Sequence, residues 1–196
     1  VRADSAWEDF RKSRAIFQSL KRLRGGEKWK YFDEICAKRQ ANVFHCNLMM
    51  SASTSMQGRK ELLARMRDMK VAADVVTYST FIDKAVKGGS MDVAEQALDE
   101  MAAVGIQPNA YTFSALIDGY GKRKMLNEAR GTWDRMMLLG VAPATHTYTS
   151  LMDALGKVGD AAGAEKLFHH LLNETSLEPT CAFFTTMVDA HTRQGN

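Results

Sequence analysis

The sequence predicts an all-α fold, a right-handed α-solenoid of helix–turn–helix repeats about 35 residues long. Internal repetition is the first observation behind this. VVTYSTFIDKAVKGGSMDVAEQALDEMAAVGIQPN, from Val75 to Asn109, can be laid over AYTFSALIDGYGKRKMLNEARGTWDRMMLLGVAPA, from Ala110 to Ala144. Thr77, Tyr78, Asp83, Lys87, Ala94 and Pro108 recur as Thr112, Phe113, Asp118, Lys122, Ala129 and Pro143. A third copy carries Thr147, Tyr148, Asp153, Lys157 and Ala164, with its closing proline one residue late at Pro179. A fourth opens with Phe183, Phe184, Thr185 and Asp189. A fixed period of this length means stacked units, each burying its apolar face against its neighbours. The second observation is helical spacing of apolar residues, and the third is glycine and proline at the ends of each helical stretch.

Within the first full unit, Tyr78, Phe81, Ile82 and Ala85 fall on one helical face, and Met91, Ala94, Leu98 and Met101 on another. Gly88 and Gly89 separate the two. Gly105 stands where a C-terminal cap belongs, and Pro108 lies just beyond it. Asp74, Asn109 and Thr180 precede the next helix with N-cap chemistry; Ala144 does not. The pattern predicts helices over 75–87, 90–104, 110–122, 126–139, 145–157, 160–173 and 181–193. No alternating strand pattern occurs. Upstream, 43–74 reads as a shortened repeat. Residues 25–40 read as the second helix of one more, with Trp29 near the place of Met91, and 7–23 as its first helix. The expected organisation is therefore a basic helical segment and degenerate repeat over 1–42, the short repeat 43–74, three repeats over 75–109, 110–144 and 145–180, and the start of a further one over 181–196.

Composition fits a helical protein with a continuous core: 45% of the 196 residues are hydrophobic. No apolar run is long enough to span a membrane. Cys36, Cys46 and Cys181 are odd in number and scattered, which suits reduced thiols rather than a disulfide framework. No targeting segment is visible at Val1. The chain lacks an initiating methionine and stops within a repeat, which predicts a longer protein.

Charge is uneven. Residues 1–42 hold eleven Lys/Arg and six Asp/Glu, whereas the remainder holds 15 basic and 17 acidic residues. Arg11, Lys12, Arg14, Lys21, Arg22, Arg24, Lys28 and Lys30 make a basic arm able to meet nucleic-acid phosphate. The plainer alternative is a solvated helix face, with Trp7, Phe10, Phe17 and Leu20 as its core side.

Catalytic and cofactor constellations are missing. His169 and His170 are adjacent and point different ways on a helix. No Cys or His pair has zinc-ligand spacing. Gly119, Gly121 and Lys122 sit in a failed phosphate-loop frame, with Leu116 in its first place and Arg123 in its last. Cys36 and Cys181 have no evident histidine partner. Met66, Met101, Met136 and Met137 read as second-helix packing. Asp83, Asp118, Asp153 and Asp189 are one repeat position, not a metal or acid–base cluster. No catalytic residue, metal or cofactor is expected.

The phrases VVTYSTFID, AYTFSALIDGYGK, THTYTSLMDALGK and AEQALDEM, with the ends GIQPN and GVAPA, resemble the pentatricopeptide repeat family over 75–180. The related tetratricopeptide repeat runs one residue shorter and carries an early tryptophan–leucine–glycine pattern that is lacking here. The resemblance implies that first helices line a concave surface holding single-stranded RNA, about one base per repeat, each read by two or three side chains. The fifth and last residues of each unit would read base edges: Ser79 with Asn109, Ser114 with Ala144, Thr149 with Thr180, Asn47 with Asp74 in the short repeat, and Thr185 in the last. The second residues, Val76, Tyr111, His146 and Ala182, would pack on the bases. Lys87, Lys122, Lys157 and Arg193 would approach phosphates; they also suit helix C-termini electrostatically. Ser79 with Asn109 resembles an adenine-reading pair and Asn47 with Asp74 a uracil-preferring one. Ala144 has no hydrogen-bonding group, and Thr149 with Thr180 resembles no strong pair. Serine or threonine in a helix's first turns also bonds its own backbone.

The function expected from the resemblance is single-stranded RNA binding in mitochondrial or plastid RNA metabolism or translation, without catalysis. The rivals are a scaffold subunit touching protein or rRNA in a larger assembly, such as an organellar ribosome, and the RNA-binding part of a longer nuclease.

Overall fold

A computed structural model describes residues 2–194, with side chains over 11–181 and 183–193. Trp7, Phe10 and Ala182 therefore lie outside the described side chains, and residues 195–196 of the last expected repeat outside the described residues. Among the described residues there are eleven helices and no strand: α1 (Arg2–Arg22), α2 (Gly25–Ala37), α3 (Val43–Ala52), α4 (Met56–Asp68), α5 (Val75–Lys87), α6 (Met91–Ala103), α7 (Ala110–Lys122), α8 (Leu126–Leu138), α9 (Thr145–Val158), α10 (Ala161–Glu174) and α11 (Cys181–Gln194). The expected bounds from α5 onward agree to within a residue. Helix α1 starts five residues before the expected position 7.

The chain forms two compact units, Val1–Lys84 and Ala85–Asn196. In the first, α1 packs on α2 and α3, and α3 on α4. Leu20, Phe32, Cys46, Met49, Met50, Leu62 and Ile82 are fully buried there. Phe17, expected on the core side of α1, is half-buried, while Ile16 and Leu20 are buried. In the second unit, first helices pack on first helices, α7 on α9 and α9 on α11, with α8 and α10 behind them. Phe113, Tyr148, Phe183, Leu98, Met101 and Met136 are buried in its core. Truncating any one such side chain to alanine costs about 2–5 kcal/mol.

Two sequence features set the close spacing of the first helices. A Cβ on Gly121 would lie 2.8 Å from the Ala154 Cβ, and one on Gly156 would lie 2.6 Å from the Thr186 methyl. Both glycines occupy the same repeat position, so the absent side chain lets α7 meet α9 and α9 meet α11. Helix ends use left-handed residues. Gly105 (φ 76°) and Gly140 (φ 67°) close second helices, while Gly89 and Gly159 close first helices. Lys70, Arg39 and Lys124 adopt the same conformation without being glycine. At Lys124 the turn is held by Lys124 N–H on the Gly121 carbonyl (3.1 Å) and Met125 N–H on the Tyr120 carbonyl (3.0 Å). These two bonds satisfy carbonyls that the helix end leaves unpaired.

Candidate nucleic-acid interface

In the first unit, α3 and the start of α5 bring three polar side chains together across 30 residues of sequence. The Asn47 amide donates from Nδ2 to Asp74 Oδ1 at 3.1 Å. The Thr77 hydroxyl lies 2.6 Å from Asn47 Oδ1 and 2.9 Å from Asp74 Oδ1. Only this amide orientation sets NH2 against carboxylate and carbonyl against hydroxyl. Asp74 also accepts from the Thr77 backbone N–H at 2.8 Å, so it is the α5 N-cap. Burial pushes the Asp74 carboxyl up, but hydrogen bonds from the Thr77 backbone, the Asn47 amide and the Thr77 hydroxyl outweigh it and hold the pKa below the ordinary value. All these bonds use Oδ1. The Val76 backbone N–H also bonds the carboxylate, and what remains for a ligand is one Nδ2–H donor on Asn47 and lone-pair capacity on the Asp74 carboxylate. The pair thus matches a base edge that carries an acceptor beside a donor, as uracil does.

The second unit repeats the geometry with different chemistry. Ser114 occupies in α7 the place of Asn47, Ala144 that of Asp74, and Thr147 that of Thr77. Ser114 Oγ donates to the Ala110 carbonyl at 2.7 Å and lies 2.7 Å from Thr147 Oγ1. With its one proton on the carbonyl, Ser114 accepts from Thr147. Thr147 Oγ1 accepts in turn from the Ala144 N–H at 3.2 Å. Ser114 is 5% exposed, so its hydroxyl is both engaged and covered. Thr149 and Thr185 bond back to the Thr145 and Cys181 carbonyls at 2.9 and 3.0 Å. Ser79, at the matching place in α5, is buried. Asn109 is exposed and caps α7, its Oδ1 accepting from the Thr112 N–H at 3.0 Å. Ser79 and Asn109 fall in different units. Thr180 is exposed ahead of α11.

Val76, Tyr111 and His146 of the second-residue row are open to solvent. Val76 is 52% exposed and Tyr111 48%. Tyr111 and His146, on neighbouring first helices, have ring centroids 6.5 Å apart at 53°, within the range of interacting rings. The expected phosphate row is also accessible: Lys87, Lys122 and Arg193 are exposed and Lys157 half-buried. Lys122 pairs with Asp118 at 2.6 Å and Lys157 with Asp153, both four residues apart on one helix. Two members of the lysine row and two of the aspartate row, distinct in the sequence reading, are therefore partners.

Two residues escaped the sequence reading. Phe44, three residues before Asn47, holds the second position of the short repeat and is 66% exposed; counting back from Asn47 finds it. His45 stands where the three full repeats have threonine, Thr77, Thr112 and Thr147. It is buried, its Nδ1 accepts from the Asn42 N–H at 3.2 Å, and its Nε2 lies 3.0 Å from the Ser13 carbonyl. The first contact requires a bare Nδ1, so the proton is on Nε2 and the ring is neutral. Among the described residues no group of His, Cys, Asp and Glu has the arrangement of a metal site.

The sequence profile of the PPR repeat family matches residues 73–122 and 115–157, and that of the PPR repeat matches 146–174. Comparison with curated proteins gave no match. Among solved structures, the PPR domain of Arabidopsis thaliana protein-only RNase P 1, in complex with tRNA, is similar with a TM-score of 0.73 at 17% identity, over 93% of this chain and 96% of that one. The pentatricopeptide repeat protein PPR10, in complex with an 18-nt psaJ RNA element, gives 0.68 at 22% identity, over 87% of this chain and 25% of that one. Nuclear proteinaceous RNase P 2 from A. thaliana gives 0.72 at 14%, over 92% and 42%. The chain thus spans a quarter of PPR10 and under half of the last.

Proposed function

The chain belongs to the pentatricopeptide repeat family, and on that premise we propose that it binds single-stranded RNA along its first helices without catalysing a reaction. The observation that carries this reading is the Asn47–Asp74–Thr77 cluster. It presents one donor and one acceptor beside the exposed ring of Phe44, which is the equipment for reading a base edge while covering its face. The exposed Tyr111 and His146 offer stacking surface in the second unit. That two structures sharing this fold hold RNA supports the ligand class. The role we propose for it, in RNA metabolism or translation of a mitochondrion or plastid, rests on family membership.

The test is equilibrium binding of four unstructured homopolymer oligonucleotides at several salt concentrations. We expect oligouridine to be favoured. Asp74→Asn keeps the helix cap but turns the acceptor face of the pair partly into a donor. It should cut the uridine preference by about 1–3 kcal/mol. Three or four neutralised phosphates give a log–log salt slope of about −2 to −3. Equal affinity for all four strands in both proteins would sink the base-reading proposal. One observation favours a scaffold instead: Leu138 is 87% exposed, beside the exposed Met137 and Leu139 at the end of α8, an apolar surface of the kind that meets protein. Absence of any RNA binding would favour that reading.

A further inference from the structure

In the second unit two of the expected phosphate-binding lysines are already held by a carboxylate on their own helix. Lys122 Nζ meets Asp118 Oδ2 at 2.6 Å, and Lys157 Nζ meets Asp153 Oδ2. The aspartate is four residues N-terminal to the lysine in both, the favourable orientation for such a pair. Among the described residues neither aspartate makes a hydrogen bond or ion pair through its carboxylate to any side chain other than that lysine. Each is the ninth residue of its helix, past the first turn where a carboxylate would cap it or complement its dipole. They sit nearer the end that prefers cations. The Lys157 end carries a further cation, since Arg193 donates from Nη1 to the Lys157 carbonyl at 3.0 Å. The Lys122 side chain remains 60% exposed, so an anion can reach it without unfolding anything.

We propose that Asp118 and Asp153 are positioning residues that hold Lys122 and Lys157 in intrahelical ion pairs and thereby restrain the grip of this unit on nucleic-acid phosphate. This rests on the reading of the lysines as phosphate contacts. An ammonium carries three donors and can bridge a carboxylate and a phosphate. The carboxylate then stands beside the phosphate, and their repulsion subtracts from the attraction. The grip on the backbone is the part of RNA affinity that ignores sequence. Weakening it leaves stacking and edge contacts to decide which strand stays bound.

The experiment measures oligouridine affinity against salt for the wild type, D118N/D153N, K122A/K157A and the four-fold variant. Asparagine keeps the side-chain shape, and single substitutions serve if the double variant folds poorly. At low salt D118N/D153N should bind about five- to tenfold tighter. Its salt slope should steepen by about 1.4, as removing two negative charges acts like adding two phosphate contacts on a single strand. With both lysines gone, the same aspartate changes should shift affinity less than about twofold, because the clamp they form no longer exists. Equal tightening in both backgrounds would reveal only general negative charge, and unchanged or weaker binding in D118N/D153N would overturn the clamp outright. Wild-type binding that K122A/K157A weakens while the asparagines leave it untouched rejects the clamp and keeps the RNA reading. A wild type that binds no oligouridine rejects both.

Discussion

Two places in this molecule share a geometry and differ in what they can say to a base. Around Asn47, an amide, a carboxylate and a threonine hydroxyl converge, leaving one donor and one acceptor unspent. Around Ser114, the carboxylate is an alanine and the amide a hydroxyl already committed to the Ala110 carbonyl. The threonine does the same work in both, reaching back to the fifth residue of the preceding first helix. On the proposed reading, the repeat scaffold supplies a reading position whether or not the side chains there can read. We expect the first unit to discriminate by edge and the second to hold bases by face, through Tyr111 and His146.

The strongest way to break that comparison is to move the chemistry. Ser114→Asn with Ala144→Asp rebuilds the Asn47–Asp74 pair in the second unit, with Thr147 in place to brace it. Base discrimination of about 1–3 kcal/mol should appear at one further nucleotide, measured by substituting single positions of a bound strand. The new aspartate also gives α9 an N-cap side chain, worth about 1 kcal/mol in denaturant unfolding. Discrimination that stays flat while stability rises would mean the cluster caps the helix and does nothing more.

A smaller effect separates the units by pH. Burial holds the His45 pKa below the ordinary 6.5, with the Ser13 carbonyl opposing. The unfolded chain therefore binds the proton more readily than the folded one. His45 stabilises the first unit fully above pH 6.5, and that contribution falls away as pH drops toward the folded pKa, by at most about 1.4 kcal/mol per pH unit. Urea midpoints between pH 7.5 and 5 should show the loss, and His45→Gln should remove the step. The second unit has threonine at this position in α7 and α9, with no proton to gain there.

The smallest effect lies in the turns. Lys124 holds φ at 59°, where Gly89 and Gly159 stand in the equivalent turns. Lys124→Gly should relieve about 1 kcal/mol of backbone strain, partly offset by the greater freedom of glycine in the unfolded chain. A Tm that falls would show that the lysine side chain makes a contact outweighing the strain.

Helices from α5 onward were legible because burial imposes its period directly on the sequence, and Gly105 and Pro108 mark where the period stops. Two things were not legible. Lys124 and Lys70 carry left-handed turns with no glycine to announce them, because two backbone hydrogen bonds enforce the conformation from outside. The hydroxyl contact from Thr147 to Ser114 joins residues 33 apart, and nothing in either local stretch predicts it. The pairing of Lys122 with Asp118, by contrast, is legible from their spacing of four residues on one helix. In the site, Asn47 and Asp74 were found by counting within a short repeat, and the structure sets them 3.1 Å apart.

The threonine bridge also changes where one module ends. Thr77 and Thr147 belong by sequence to the repeat after the side chain they brace, so each reading position is completed by its successor. A graft cut at the prolines would carry the fifth residue away from its brace. Exchangeable cassettes cut inside the first helix, between its third and fifth residues, would carry the cap, the bridge and the following turn as one inherited block. Recombined arrays of this kind would therefore change their readout at the seams first and in their interiors last.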